Sequence, residues 1–367
     1  MKLQLVVLSM VFLLSFSTSA HENDNDSLPL LPPGQHVTIE YGEVAPGAED
    51  TLDDAFFEIV QAGSDTYALS MWWSLMQPIN QTVDLEELQG FLEIMRVLNL
   101  QPYFVMPTID TVQLALPPEF VDANDSTQLA AGVHFNSSEV LESLGTLLDE
   151  LVPLLMEYNT FYLSVGNEVD AWLSAHPDEI EPFLEFVSFA RERVQQLAPD
   201  LAVGVTMTYG GAMTYPDLLA DLIAVSDVIA FTYYPLNADF TVQDPSVVEE
   251  DMAALVEMIS PMPVVLQEVG YPSGYLRSPN NGSSGEMQAE FVSNFFDALE
   301  AHPEIRFASF LHLGEWSDAT CDEFAGYYQL ELSAFREYLC SLGLREYNGD
   351  AKPGYAVFVE RLRQLQN

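Results

Sequence analysis

Two glutamates stand where apolar runs stop. Glu168 closes the run in YLSVGNEVDAW (162–172), and Glu268 closes the one in VVLQEVGYPSG (264–274); neither has a basic neighbour in the chain. A carboxyl at the end of a buried strand with no cation beside it is free to act as acid, base or nucleophile. The two lie one hundred residues apart, which is three strand–helix units at roughly 30-odd residues each. In a ring of eight strands, positions three apart face each other nearly across the mouth. Two carboxyls so placed can flank one glycosidic bond, one protonating the leaving oxygen while the other attacks or stabilises the anomeric carbon. Either residue alone could be a polar strand end beside a helix N-terminus, where acids are stabilised. The pair, taken with its neighbours, favours chemistry.

The elements that would position this pair alternate regularly. Short β-branched or aromatic runs at 36–43, 66–75, 101–108, 160–168, 201–209, 228–235, 263–268 and 305–313 read as strands. Amphipathic stretches at 52–61, 85–97, 138–157, 178–197, 216–224, 246–259 and 286–301 lie between them, with 332–342 and 354–365 after the last strand. Several open on Asp, Ser or Pro, as helix N-termini prefer. Eight such units predict an α/β fold, a single-domain (β/α)8 barrel. A doubly wound sheet is the competitor, but the first strand–helix turn, 43–47, lacks a G-x-G-x-x-G fingerprint. The connections 109–137, 269–285 and 314–330 are long and are expected to rim the C-terminal face, where barrels place catalysis.

Residues 1–20 read as an export signal: Lys2, an apolar stretch from Leu5 to Phe16, and a Thr18-Ser19-Ala20 ending. Residues 21–35 form a polar lead and 36–367 the barrel. No later run reaches the roughly 18–20 apolar residues of a membrane helix, so an exported, monomeric protein without membrane or nucleic-acid partners is expected. Eleven Lys plus Arg against 56 Asp plus Glu set the formal net charge at −45. Such a surface repels nucleic acid, anionic lipid and polyanionic glycans, which leaves a neutral glycan as the expected partner. It also suits solvation in saline or acidic surroundings. Beyond Lys2 the only lysine is Lys352, expected in the C-terminal helical tail away from any strand end, so Schiff-base and pyridoxal chemistry is excluded. Cys321 and Cys340, the only cysteines, are expected to form a disulfide in an exported protein. Sequons begin at Asn25, Asn80, Asn124, Asn136 and Asn281.

The strings SVGNEVD and VVLQEVGYPS resemble the Asn-Glu and Glu signatures of clan A glycoside hydrolases, which are retaining (β/α)8 enzymes. DVIAFTYYPLNADF (227–240) resembles their sixth-strand Tyr-Tyr-Pro stretch, particularly in the endo-β-1,4-galactanase family, and GLREYNGDAKPGYAVF (343–358) resembles their closing helix. The resemblance implies Glu168 as acid/base, Glu268 as nucleophile, and Asn167 bonding the hydroxyl beside the anomeric carbon. A strand-six tyrosine would hold the nucleophile ionised, with Tyr233 preferred over Tyr234. The environments of the two glutamates should push their pKa values apart. Strand two, YALSMWWSLMQP, has no arginine where many clan members place one, and strand three, PYFVMPTIDT, lacks their usual histidine.

Aromatic faces suit sugar rings, and Trp72, Trp73, Trp172, Tyr271 and Trp316 fall near the expected mouth, although any one could equally cover the core. At most one of Trp72 and Trp73 faces the lumen, because consecutive strand side chains alternate. His312 and Glu315 could reach the same cavity. The histidines are scattered at 21, 36, 134, 176, 302 and 312, and the first strand, HVTIEY, has no His-x-His, so neither metal nor cofactor is expected. P-loop and G-x-S-x-G motifs are absent from the sequence. A secreted retaining glycosidase is the function these residues point to. A transglycosylase using the same glutamates and a non-catalytic carbohydrate-binding barrel are the alternatives.

Overall fold

The computed structural model describes residues 31–78, 82–274, 281–330 and 333–366. The leader 1–20 therefore lies outside the described residues, as do the sequons at Asn25 and Asn80. Eight parallel strands form the barrel: β1 (His36–Ile39), β2 (Thr66–Ser70), β3 (Gln101–Val105), β4 (Tyr162–Ser164), β5 in two pieces (Ala202–Gly204 and Thr206–Thr208), β6 (Ala230–Tyr233), β7 (Val264–Val269) and β8 (Ile305–Phe310). One ladder runs β2-β3-β4-β5 and the other β5-β6-β7-β8-β1. β5 belongs to both, its first piece pairing with β4 and its second with β6. The β1–β2 seam is tied by the Tyr41 N–H donating to Tyr67 Oη at 3.2 Å. This is the expected (β/α)8 architecture.

Side-chain alternation sorts the core into two clusters. Inward residues such as Ala68, Tyr103, Tyr162, Ala202, Ala230, Val265 and Phe307 fill the lower lumen. There Tyr103 stacks between Phe307 and Tyr162, each centroid 4.8 Å away. Outward residues such as Leu69, Leu163, Phe231 and Leu266 meet the surrounding helices. The described part of the polar lead caps the lower end, where Gln35 Nε2 donates to the carbonyls of Leu299, His302 and Ile305.

The helices largely follow the sequence pattern, Ser138–Glu157 among them without a shift of boundary. Three connections carry structure that the pattern did not suggest. The 109–137 loop folds into two small hairpins, Ile109–Asp110 with Gln113–Leu114 and Val121–Asp122 with Asp125–Leu129. A short helix, Val169–Ala175, follows Glu168, and another, Asp318–Tyr327, follows β8. A disulfide joins Cys321 and Cys340, with Cα atoms 5.9 Å apart, and links that last helix to Ser333–Cys340. Among the described residues no helix is long and apolar enough to cross a membrane.

Candidate active site

Both glutamates reach one cavity of about 600 Å³ at the C-terminal end of the barrel. Glu168 follows β4 in the left-handed region, with φ 47° and ψ 45°. That conformation costs a non-glycine residue free energy unless its surroundings enforce it. They do: the Asn167 N–H donates to Ile109 O at 2.8 Å, and Thr111 N–H donates to Asn167 O at 3.0 Å. The Thr111 and Thr232 hydroxyls then donate to the two carboxyl oxygens of Glu168 at 2.6 Å each.

Glu268 arrives by a different device. Strict alternation along β7 would aim Glu268 outward, since Val265 and Gln267 face the lumen and Leu266 the helices. Register shifts against both β6 and β8 turn it into the mouth beside Gln267. Bulges of this kind commonly re-aim side chains at sites. Gln267 Nε2 donates to Asn167 Oδ1 at 2.7 Å, and Asn167 Nδ2 donates to Asp110 Oδ1 at 3.1 Å. A single chain of amides and carboxyls therefore holds Asn167 between the two strand ends.

Tyr234 is the tyrosine that serves Glu268, its Oη donating at 2.7 Å. The preference for Tyr233 is corrected. Ala230 and Thr232 face in, so Phe231 and Tyr233 face out, and Tyr233 Oη donates instead to Asp251 Oδ2 at 2.6 Å among the helices. β2 ends at Ser70, and the chain turns at Trp72, which lines the cavity, into a short helix whose first residue, Trp73, is buried in the core with its Nε1 donating to Gln77 Oε1 at 2.7 Å. Trp316 also lines the cavity.

The remaining expected contacts lie elsewhere. Trp172 is buried, donating to Thr127 O at 2.8 Å and stacked on His176, and Tyr271 is buried, donating to Gln243 O at 2.5 Å. His312 sits behind Trp316, ring centroids 4.5 Å apart, and its Nδ1 pairs with Gly314 O. Burial holds the pKa of His312 down at about 3, so it stays neutral. Glu315 forms a buried ion pair with Lys352. Lys352 is therefore not remote from the strand ends, which corrects its expected placement. Its Nζ also reaches Ser273 Oγ at 2.9 Å and Ser341 O at 3.2 Å.

Two carboxyls that sequence reasoning passed over share the cavity: Glu40, one residue past β1, and Asp110, in the loop after β3. Asp110 is satisfied by Asn167 and by the Tyr327 hydroxyl, 2.9 Å from Oδ2. Glu40 has no side-chain hydrogen bond among the described residues, and burial raises its pKa to about 8. The sequence reading ran strand one from 36 to 43 and left Glu40 inside it, whereas the structure ends β1 at Ile39, so that Glu40 stands just past its strand as Glu168 stands past β4. No Lys, Arg or His is found among the described residues lining the cavity. Burial, chiefly, raises Glu168 to about 7, with Asp170 and Asp110 adding to it against the two threonine hydrogen bonds. Burial and then repulsion from Glu168 and Glu40 push Glu268 well above the usual carboxyl range, against the Tyr234 hydrogen bond. Both shifts are upward from the usual carboxyl range. With no cation in the cavity both move up, and two repelling acids titrate as a pair.

No protein-family profile matches the sequence, and no curated protein matches it. Solved structures do share its fold. A glycoside hydrolase of family 5, subfamily 18, from Streptomyces cattleya, solved with GlcNAc, has 19% identity and a TM-score of 0.66, covering 91% of this chain and 81% of its own. A member of that subfamily from Bifidobacterium longum, solved with Manβ1-4GlcNAc, has 15% identity and a TM-score of 0.68, covering 91% and 79%. An exo-β-1,4-mannosidase from an Opitutaceae bacterium has 15% identity and a TM-score of 0.66, covering 90% and 59%. At these identities the likeness establishes the fold.

Proposed function

We propose that this protein is a retaining β-glycosidase that cleaves a β-linked oligo- or polysaccharide free of acidic groups, using Glu168 and Glu268. The observation that carries the reading is the meeting of these two glutamates, from strand ends three apart, in one cavity with Asn167 fixed between them. The glycoside-hydrolase neighbours support it at the level of fold, and their mannoside and GlcNAc ligands favour such sugars over galactan. The apolar leader and the Cys321–Cys340 bridge support export.

In the first step a Glu268 oxygen attacks the anomeric carbon, the bond to the leaving oxygen breaks, and that oxygen takes the Glu168 proton. In the second step water attacks the glycosyl ester, its proton passes to Glu168, and Glu268 departs as carboxylate. One proton shared by the pair satisfies both steps. The threonine hydroxyls on Glu168 can rotate to accept from it when it is protonated, whereas the Tyr234 phenol is placed to donate to an ionised Glu268. Asn167 would meet the hydroxyl beside the anomeric carbon, a contact that strengthens in the transition state. Trp72 and Trp316 offer flat apolar faces to the rings.

The test is hydrolysis of aryl β-glycosides and of β-glucans, β-mannans and β-galactans at low and high salt, beside Glu268→Ala. Turnover by the wild type, lost in the variant, supports the reading and names the sugar. Glycan binding without turnover, unchanged in the variant, makes the barrel a carbohydrate receptor instead.

A further inference from the structure

The segment after β8 is built as a strap across the mouth. It begins at Trp316 and runs through the helices Asp318–Tyr327 and Ser333–Cys340, which the Cys321–Cys340 disulfide joins. Three fastenings hold it on one side. The Ser317 N–H and Thr320 hydroxyl bond Glu43 Oε2, after β1, at 2.9 and 2.8 Å. Tyr327 stacks on Trp72, after β2, with centroids 5.6 Å apart and planes 17° apart. Beyond β3, Tyr327 Oη donates to Asp110 Oδ2 at 2.9 Å, and Gln113 Nε2 donates to Tyr327 O at 2.8 Å. On the other side Tyr338 packs on Tyr234 and Phe335 on Phe240, both of them in the chain after β6, at 5.4 and 4.9 Å. Glu168 and the Thr208–Gly210 turn also line the cavity, and among the described residues no hydrogen bond or ring contact joins them to the strap.

Glu40 lies on the strapped side, at the end of β1, and its charge is felt by Glu268. In double displacement the nucleophile holds the sugar whose anomeric carbon reacts, and the acid faces the departing chain. The strapped side is therefore the glycon side. From this arrangement, and resting on the glycosidase reading above, we infer that the glycon site is blind, so that the enzyme removes short units from the non-reducing end, with Glu40 binding hydroxyls of the terminal sugar. A cavity of about 600 Å³ falls within the ~300–1,000 Å³ of clefts and cavities that bury most of a small ligand. Glu40 suits the role because a carboxyl open to the cavity, with no side-chain hydrogen bond among the described residues, can both donate to and accept from sugar hydroxyls once protonated.

The experiment uses β-1,4-linked cello-, manno- and galacto-hexaose carrying a fluorescent label at the reducing end, with wild type, Tyr327→Ala and Glu40→Ala. Labelled products that shorten stepwise from the hexamer, with polymer viscosity unchanged early in the reaction, are the expected result. Mid-length labelled fragments in the first few per cent of reaction overturn the inference while leaving the glycosidase reading standing. Tyr327→Ala, checked for an intact fold by circular dichroism, should add internal cleavage. Glu40→Ala should lower kcat/KM about tenfold, the size of one lost hydrogen bond, and Glu40→Gln should restore part of it. A second readout is independent of turnover: calorimetric binding of dimer to hexamer by Glu168→Gln. If no hexaose is hydrolysed, the glycosidase reading fails for β-1,4-linked chains, and binding alone decides. Affinity lost when a bulky group caps the non-reducing end supports a blind site, and affinity unchanged by the cap overturns it.

Discussion

Two buried carboxyls at strand ends of this barrel live in opposite electrostatic company. Glu315, beyond β8, faces the Lys352 ammonium, and its pKa is raised by burial but drawn back by that cation. Glu268, at the end of β7, faces Glu168 and Glu40, with no cation among the described residues lining its cavity. Burial penalises both in the same way. What differs is whether the fold neutralises the charge. Where the carboxyl only ties the closing segment to the barrel, a lysine from that segment is brought in to meet it. Where the carboxyl faces the cavity, the fold leaves it uncompensated at a cost in folding free energy, and such a buried, perturbed acid in a cavity is a candidate for chemistry.

The comparison makes opposite predictions for its two members. Glu268→Gln should lower kcat/KM on the order of 10⁴-fold, while the melting temperature holds or rises because an uncompensated buried acid has been removed. Lys352→Met should do the reverse. Breaking one half of a buried pair costs about 3–5 kcal/mol, seen as a fall in melting temperature, while kcat of the folded fraction stays near wild type. Equal loss of stability in both variants, measured by calorimetry beside a single-turnover assay, would erase the distinction.

Tyr234→Phe sharpens the same contrast at smaller scale. The phenol is the one hydroxyl donor to Glu268 among the described residues, and a hydrogen bond to a charged group is worth about 1.5–3 kcal/mol. kcat/KM should fall roughly 10- to 150-fold. The bond favours the charged form, so its loss raises the pKa of Glu268, and the acid limb of the pH–rate profile should move to higher pH. A lower rate with an unmoved limb would mean that Tyr234 positions substrate and does not tune the nucleophile.

How much of this was legible in the sequence depends on the range of the interaction. Alternation within a strand is local, and it was used to allow only one of Trp72 and Trp73 to face in; the outcome holds for another reason, since β2 ends at Ser70 and Trp73 opens a short helix. The same parity, counted from Ala230, would have chosen Tyr234 over Tyr233 had it been applied to strand six. Glu268 was found although parity alone points it outward, because the rule used was position at a strand end; the register shifts that re-aim it leave no mark in a single sequence. Glu40 escaped that rule because strand one was read as 36–43 and Glu40 fell inside it, whereas β1 ends at Ile39. Trp172 and Tyr271 were misplaced for a different reason. Each lies past a strand end, and the partners that bury them are His176, just after the short helix that carries Trp172, and Phe291, from the helix Gly285–Ala301. Lys352 was placed away from the strand ends, wrongly, since its approach to Glu315 depends on how the last thirty-odd residues close over the barrel.

The smallest effect in the comparison is the pH dependence of stability, and its sign follows from the unneutralised side. Glu40 rises from 4.5 to about 8 and Glu168 from 4.5 to about 7 on folding, with Asp110 and Asp170 also raised by burial. A carboxyl whose pKa is higher folded than unfolded binds protons preferentially in the folded state. Its stabilising contribution is complete below about pH 4.5 and is lost as pH rises through the folded value. Melting temperature should therefore fall by several degrees between pH 5 and pH 8. The exposed acids Asp125, Asp239 and Asp244 are shifted down, and their contribution changes only below that window. Repulsion across a surface of formal net charge −45 is the competing source. Salt separates the two, because it screens exposed charges strongly and buried ones little. At 1 M salt the slope should persist, and Glu40→Gln should flatten it. A slope abolished by salt and untouched by Glu40→Gln would assign the pH response to the surface, and the cavity carboxyls would then be no costlier to the fold than Glu315 beside its lysine.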